Sequence, residues 1–84
     1  MKKSHNDLEI FGQNVRFARR QMNLSLEDVA SRVGTHQPKL SRIENGKGNP
    51  TLETCAQLAD VLDAPLFELF DPKYISRCLE SPRS

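Results

Sequence analysis

The sequence predicts an all-α fold, a compact bundle of five helices with room for a short sixth, and three observations predict it. Apolar residues recur three and four apart along nearly the whole chain, and no convincing strand pattern interrupts them. Helix start and stop residues stand where one periodic stretch gives way to the next, at Ser25, Gly34 and Asp63-Ala64-Pro65. The 84 residues suffice for one modest core, so residues 1–84 read as a single domain, with its core over about 10–70 and 71–84 as a C-terminal extension.

Phe11, Val15, Ala18 and Met22 form the inward stripe of a first helix, which Asn23-Leu24 ends. Ser25-Leu26-Glu27-Asp28 resembles a capping box, with Asp in place of the usual Glu or Gln, and opens a second helix. Its inward face is Leu26, Val29, Ala30 and Val33, and Gly34 stops it as a glycine just past a helix end does. A third helix must begin almost at once, within Thr35-His36-Gln37-Pro38, because proline is tolerated only in the first turn. Leu40 and Ile43 face inward, and Gly46 and Gly48 end the helix in a turn. Two short helices joined this tightly through a glycine make a helix-turn-helix unit. Asn49-Pro50-Thr51 opens a fourth helix with the stripe Leu52, Cys55, Leu58 or Ala59, and Leu62. A fifth carries Leu66, Leu69 and Phe70, and Asp71-Pro72 permits a sixth with Tyr74, Ile75, Cys78 and Leu79.

Composition narrows the function classes. No apolar run approaches the roughly 20 residues that span a bilayer. The basic start, Met1 to Asp7, has no apolar stretch behind it, so the expectation is a cytoplasmic protein with no membrane contact. Cys55 and Cys78 lack a C-x-x-C or a paired His, and read as reduced thiols in preference to a redox pair or an inter-subunit disulfide. His5 is assigned no role. No nucleophile–base set, metal cluster or phosphate-binding glycine loop stands out, so neither an enzyme, a metal site nor a cofactor is expected. A small-molecule sensor would need a pocket that so small a core does not obviously provide. Charge is split along the chain. Residues 14–47 carry seven basic and three acidic residues, net +4, whereas residues 48–84 carry three basic and six acidic, net −3. That split suits a protein that turns one face to a polyanion.

The third helix carries the chemistry. With Leu40 and Ile43 inward, its other face presents Gln37, Pro38, Ser41, Arg42 and Asn45. Amide and guanidinium groups can read base edges, Gln at adenine and Arg at guanine, and an α-helix fits the major groove of B-DNA. A merely solvated helix face would look similar; the tight turn before it favours the DNA reading. Arg19 and Glu44 each lie beside the core-facing stripe of their helix, which predicts a partly buried ion pair between the first and third helices.

The runs Leu24-Ser25-Leu26-Glu27-Asp28-Val29-Ala30, Leu40-Ser41-Arg42-Ile43-Glu44-Asn45-Gly46-Lys47 and Asn49-Pro50-Thr51-Leu52-Glu53-Thr54 resemble the Cro and phage-repressor helix-turn-helix family, also called the XRE type. The resemblance covers about residues 10–70. It implies a five-helix bundle of the phage-repressor DNA-binding type and a transcriptional regulator of double-stranded DNA. It also implies base contacts from Gln37, Pro38 and Arg42, and phosphate contacts from Asn45, Gly46 and Lys47; Ser41 on the same face is a further candidate for a base, and Ser25, His36 and Lys39 are further candidates for phosphate. The Arg19–Glu44 pair matches a buried pair of some members. Two residues depart from the pattern: Leu26 stands where many members have a phosphate-contacting Gln, and Pro38 cannot donate a hydrogen bond. His36 stands where a small helix-capping residue is usual, and its alternatives are a weak cap, a phosphate contact or exposure to solvent.

Members of this class commonly bind as two-fold dimers. Phe67, Tyr74, Ile75 and Leu79 remain after Leu66, Leu69 and Phe70 have sealed the bundle, which predicts a homodimer interface; the alternative is a tail folded back on its own core. The expected function is a dimeric repressor or autoregulator, with a restriction–modification controller or an antitoxin as narrower versions. The alternative from another class is a protein-interaction module that keeps the fold without specific DNA binding.

Overall fold

The structure is a computed structural model, and it describes residues 4–80. Six helices follow in chain order: α1 (Ser4–Gln21), α2 (Leu26–Val33), α3 (Gln37–Glu44), α4 (Leu52–Val61), α5 (Leu66–Leu69) and α6 (Tyr74–Glu80). There is no strand among the described residues, in keeping with the all-α expectation.

α1 runs further toward the N-terminus than its stripe from Phe11 suggested, and half-buried Leu8 extends that stripe by a turn. Asn23, in the left-handed region at φ 58°, ends it, and the Leu24 N–H reaches back 3.1 Å to the Arg19 carbonyl. Asp63 (φ 57°) ends α4 in the same way, with Ala64 bonded to Ala59; short polar side chains are the non-glycine residues that tolerate this conformation best. Gly34 ends α2 at φ 83°. A side chain there would meet nothing within 4 Å, so the backbone conformation and not lack of space requires glycine.

α1 packs on α3, α5 and α6, while α2 joins α3 to α4. Phe11, Val15, Val29, Leu40, Leu58 and Leu69 are the fully buried centre. Two members of the expected stripes lie outside it. Met22, just past the end of α1, is 40% exposed, and Leu52, the first residue of α4, is 72% exposed. Both sit at helix ends, where the apolar periodicity continues past the buried core.

The C-terminal extension is fastened to α1. The Asn14 amide is buried and donates to the carbonyls of Leu69 and Asp71, both at 2.9 Å. Phe70 stacks on Phe11 with ring centres 4.6 Å apart, and Tyr74 meets Phe17 edge-on at 6.1 Å. Asp71 accepts the Lys73 N–H and pairs with Arg77, so α6 begins at Tyr74, later than Asp71-Pro72 implied. The Lys73 N–H, with help from Arg77, holds the Asp71 carboxyl below its ordinary range.

This fastening bears on the expected self-association patch. Tyr74 is 9% exposed and belongs to the chain's own core, although it also lines the groove beside Leu79. Leu79 shares a groove of about 690 Å³ with Met22 and the α4–α5 turn, whereas half-buried Ile75 lies in a different groove beside Arg16 and Arg20. The two grooves adjoin at Phe17 and Gln21, and Phe67, 74% exposed, is the one of the four residues that lines neither. Cys55 is buried in α4 and Cys78 half-buried in α6, both as free thiols, and burial pushes the Cys55 thiol above its ordinary value. No described helix is long and apolar enough to cross a membrane.

Candidate nucleic-acid interface

The site is built on α2 and α3, joined through Gly34-Thr35-His36. The Gly34 N–H bonds the Ala30 and Ser31 carbonyls, and the Thr35 N–H returns to Ala30 at 2.9 Å. These bonds close α2 before α3 begins. His36 is the extended residue before α3 (φ −106°, ψ 152°), and its side chain makes no capping bond. Pro38 falls in the first turn, where its missing N–H leaves no helix bond unmade.

Leu40 and Ile43 are buried, as the inward face requires, and Glu44 is buried with them. Gln37, Pro38, Lys39 and Arg42 are exposed on α3, and Ser41 is half-buried. Glu44 is the only carboxylate on α3 and it points away from that face, so the outer surface carries Lys39 and Arg42 uncompensated, with exposed Lys47 just beyond.

The position of α3 is set by α1. Arg19 grips Glu44 with two bonds, Nε to Oε2 at 2.7 Å and Nη2 to Oε1 at 3.1 Å, and its Nη1 donates to the Leu24 carbonyl at 2.9 Å. Both residues are buried, at 8% and 3% exposure. A fork-shaped, doubly bonded pair fixes orientation as well as distance. Two further contributors gave no signal that the sequence reading used. Arg16 adds a bond from Nε to Glu44 at 3.3 Å and one from Nη2 to the Asn45 Oδ1 at 2.9 Å. Gly12 lets the helices touch: a Cβ there would lie 2.4 Å from the Ile43 carbonyl oxygen and 2.7 Å from that of Glu44. A glycine in mid-helix is itself the available clue to such close approach.

Several expected phosphate contacts have internal commitments. Ser25 and Asp28 form a complete capping box: the Ser25 Oγ accepts the Asp28 N–H, and the Asp28 carboxylate accepts the Ser25 N–H, both at 3.0 Å. That second bond, then the hydroxyl, holds the Asp28 carboxyl below its usual range. With Glu27 beside it, the start of α2 presents negative charge, which opposes a phosphate at Ser25. At the far end of α3 the Asn45 amide accepts from Arg16 and donates to the Ser41 carbonyl, and the Gly46 N–H is taken by Ile43. His36, Lys39 and the Lys47 ammonium remain uncommitted among the described residues.

Comparison with known proteins agrees with this geometry. A family model described as helix-turn-helix matches residues 15–69. The chain is 38% identical over 64 residues to the uncharacterized HTH-type transcriptional regulator y4dJ of Sinorhizobium fredii, a match covering 76% of this chain and 83% of that protein. It is 37% identical over 59 residues to the HTH-type transcriptional repressor RghR of Bacillus subtilis, covering 69% of this chain and 44% of RghR. Among solved structures it resembles the restriction-modification controller protein C.AhdI of Aeromonas hydrophila, with a TM-score of 0.71 and 35% identity over 75% of this chain and 96% of that one. The tight α2–α3 unit, the bared outer face of α3 and these matches together place the chain in the XRE-type helix-turn-helix family of DNA-binding transcriptional regulators.

Proposed function

We propose that the chain is a sequence-specific repressor or autoregulator that binds a two-fold symmetric duplex site as a homodimer, in the cytoplasm. The observation that carries this reading is the outer face of α3, polar, cationic and free of carboxylates, on a helix held rigidly by Arg19 and Glu44. Gln37 and Arg42 read base edges, Pro38 packs on a thymine methyl, and Ser41 stands beside them. His36, Lys39 and Lys47 hold the phosphates. The relation to a named repressor and to a named restriction–modification controller supports a role in repressing or controlling a nearby gene. One bundle of this size covers too few base pairs for useful specificity, and exposed Phe67 on α5 is the proposed centre of self-association.

Site selection from a random duplex library, followed by titration of the winning duplex at several salt concentrations, tests this reading. The expected result is a symmetric site with half-sites about 34–36 Å apart, bound far more tightly than random DNA. Failure to enrich any sequence would transfer support to a protein-interaction module. Analytical ultracentrifugation of Phe67→Asp should give a folded monomer; a persistent dimer would remove Phe67 from the interface.

A further inference from the structure

The end of α3 has spent the donors that a phosphate would otherwise take. The Asn45 N–H goes to the Ser41 and Arg42 carbonyls, the Gly46 N–H to Ile43 and the Lys47 N–H to Arg42, while the Asn45 amide is bonded at both its oxygen and its nitrogen. A grip on a DNA strand at Asn45–Lys47 must therefore come from side chains, including those of the neighbouring helix. α1 has two such side chains. Arg16 is tied to Glu44 and Asn45 through Nε and Nη2, which leaves Nη1 without a bond among the described residues and 40% of the side chain exposed. Arg20, one turn further, is exposed and makes no ion pair among the described residues. Together with Gln13 and Gln21, over a floor of Phe17 and Ile75, they line a shallow groove of about 350 Å³. Arg16 and Arg19 share the carboxylate of Glu44, whose two oxygens Arg19 already occupies, and Arg20 has no carboxylate partner among the described residues, so the groove lining itself carries two cations and no carboxylate.

We propose that this α1 groove is a phosphodiester site that carries the DNA interface beyond α3, with Arg16 pre-positioned by Glu44 and Asn45 and Arg20 as the free cation. The proposal rests on the DNA-binding reading above and adds a contact that the α2–α3 unit does not supply. The groove suits a phosphate within a duplex better than a free anion. The N–H groups along the middle of α1 are used within the helix, so a free phosphate would find only two exposed guanidiniums and would have to give up its own freedom of motion. A phosphate already brought to this edge by α3 bears no such cost, because its binding is intramolecular within the complex. A guanidinium held in place by two bonds also loses little side-chain freedom when it engages.

The test is the salt dependence of binding of the full chain to its selected duplex. Each phosphate contact removed should lower the slope of log K against log salt by about 0.9. Arg20→Gln should lower the slope by that amount, leave the ranking of duplex sequences unchanged and leave thermal unfolding unchanged, and Arg20→Lys should restore the slope. Arg16→Gln should lower the slope as well, so the result does not hang on one variant. An unchanged slope in Arg20→Gln, alongside a lowered one in Lys47→Ala, would overturn the proposal. So would a weakened dimer in Arg20→Gln with DNA binding unaltered, which would assign the groove to the acidic half of a second copy. If the unmodified chain shows no salt-dependent duplex binding, the DNA reading itself fails, and this is visible before any variant is made.

Discussion

α2 and α3 are both eight residues long and adjacent in the chain, yet they begin in opposite ways. α2 starts with its backbone donors satisfied from within: Ser25 and Asp28 exchange bonds, and Glu27 and Asp28 add negative charge where the helix dipole favours it. α3 starts with His36, which caps nothing, followed by Gln37, Pro38 and Lys39, with no acidic residue in the first turn. By the rules of isolated helices α3 is the worse sequence, lacking a cap typically worth about 1 kcal/mol. Its other end shows the reverse, since Arg16, Glu44, Asn45 and the Gly46 turn leave little there unpaired. The difference teaches that α3 is held by its C-terminal end and by α1, which leaves its N-terminal turn without a side-chain cap.

Substitutions can break or sharpen this contrast. The largest effect should come from the anchored end: Glu44→Ala strands Arg19 in the bundle and should cost roughly 3–5 kcal/mol in urea unfolding. A loss under 1 kcal/mol would mean that the pair does not hold α3. On the open face, Arg42→Ala should weaken the best duplex by about 1–3 kcal/mol and relax the choice at one base pair if the contact is bidentate. Unchanged relative affinities would show that the face is misplaced. Exchanging the two starts is the sharper trial. His36→Asp gives α3 the cap it lacks, so stability should rise by about 0.5–2 kcal/mol while duplex affinity falls, the new carboxylate facing phosphate; higher stability with undiminished affinity would place the open turn away from DNA. Ser25→Ala should lose about 0.5–2 kcal/mol of stability with little effect on binding. The smallest effect is on pH. Asp28 titrates below the usual carboxylate range in the folded chain, so what it contributes is present above the unfolded pKa and is lost as pH falls through the folded one. Carboxyl NMR titration should show this depression, and Ser25→Ala should diminish it.

Much of the fold was legible in one dimension because helix ends and apolar periodicity are local properties. The Ser25–Asp28 box, the Gly34 stop and the placement of Pro38 follow from rules that operate within a turn or two. Other features left traces that only packing could interpret. Asn14 lies three residues after Phe11 and four before Ala18, on the apolar stripe itself, and a polar residue there signals a buried partner; which partner depends on a fold that brings Leu69 and Asp71 beside it. Leftover apolar residues in the C-terminal half suggested a single sticky patch. Separation along a chain cannot say how each of them is placed, and the bundle sent Tyr74 largely inward, set Leu79 and Ile75 in two adjoining grooves, and left Phe67 to solvent.

The sequence by itself determined where α2 and α3 start and stop and which side chains α3 bares, because capping, turn geometry and periodicity act between residues a few positions apart. Only the tertiary structure decided which of those side chains stay free. Arg16 and Asn45 lie 29 residues apart and Asn14 and Asp71 lie 57 apart, and such meetings depend on how α1 is wedged between α3 and α6, which no local rule contains.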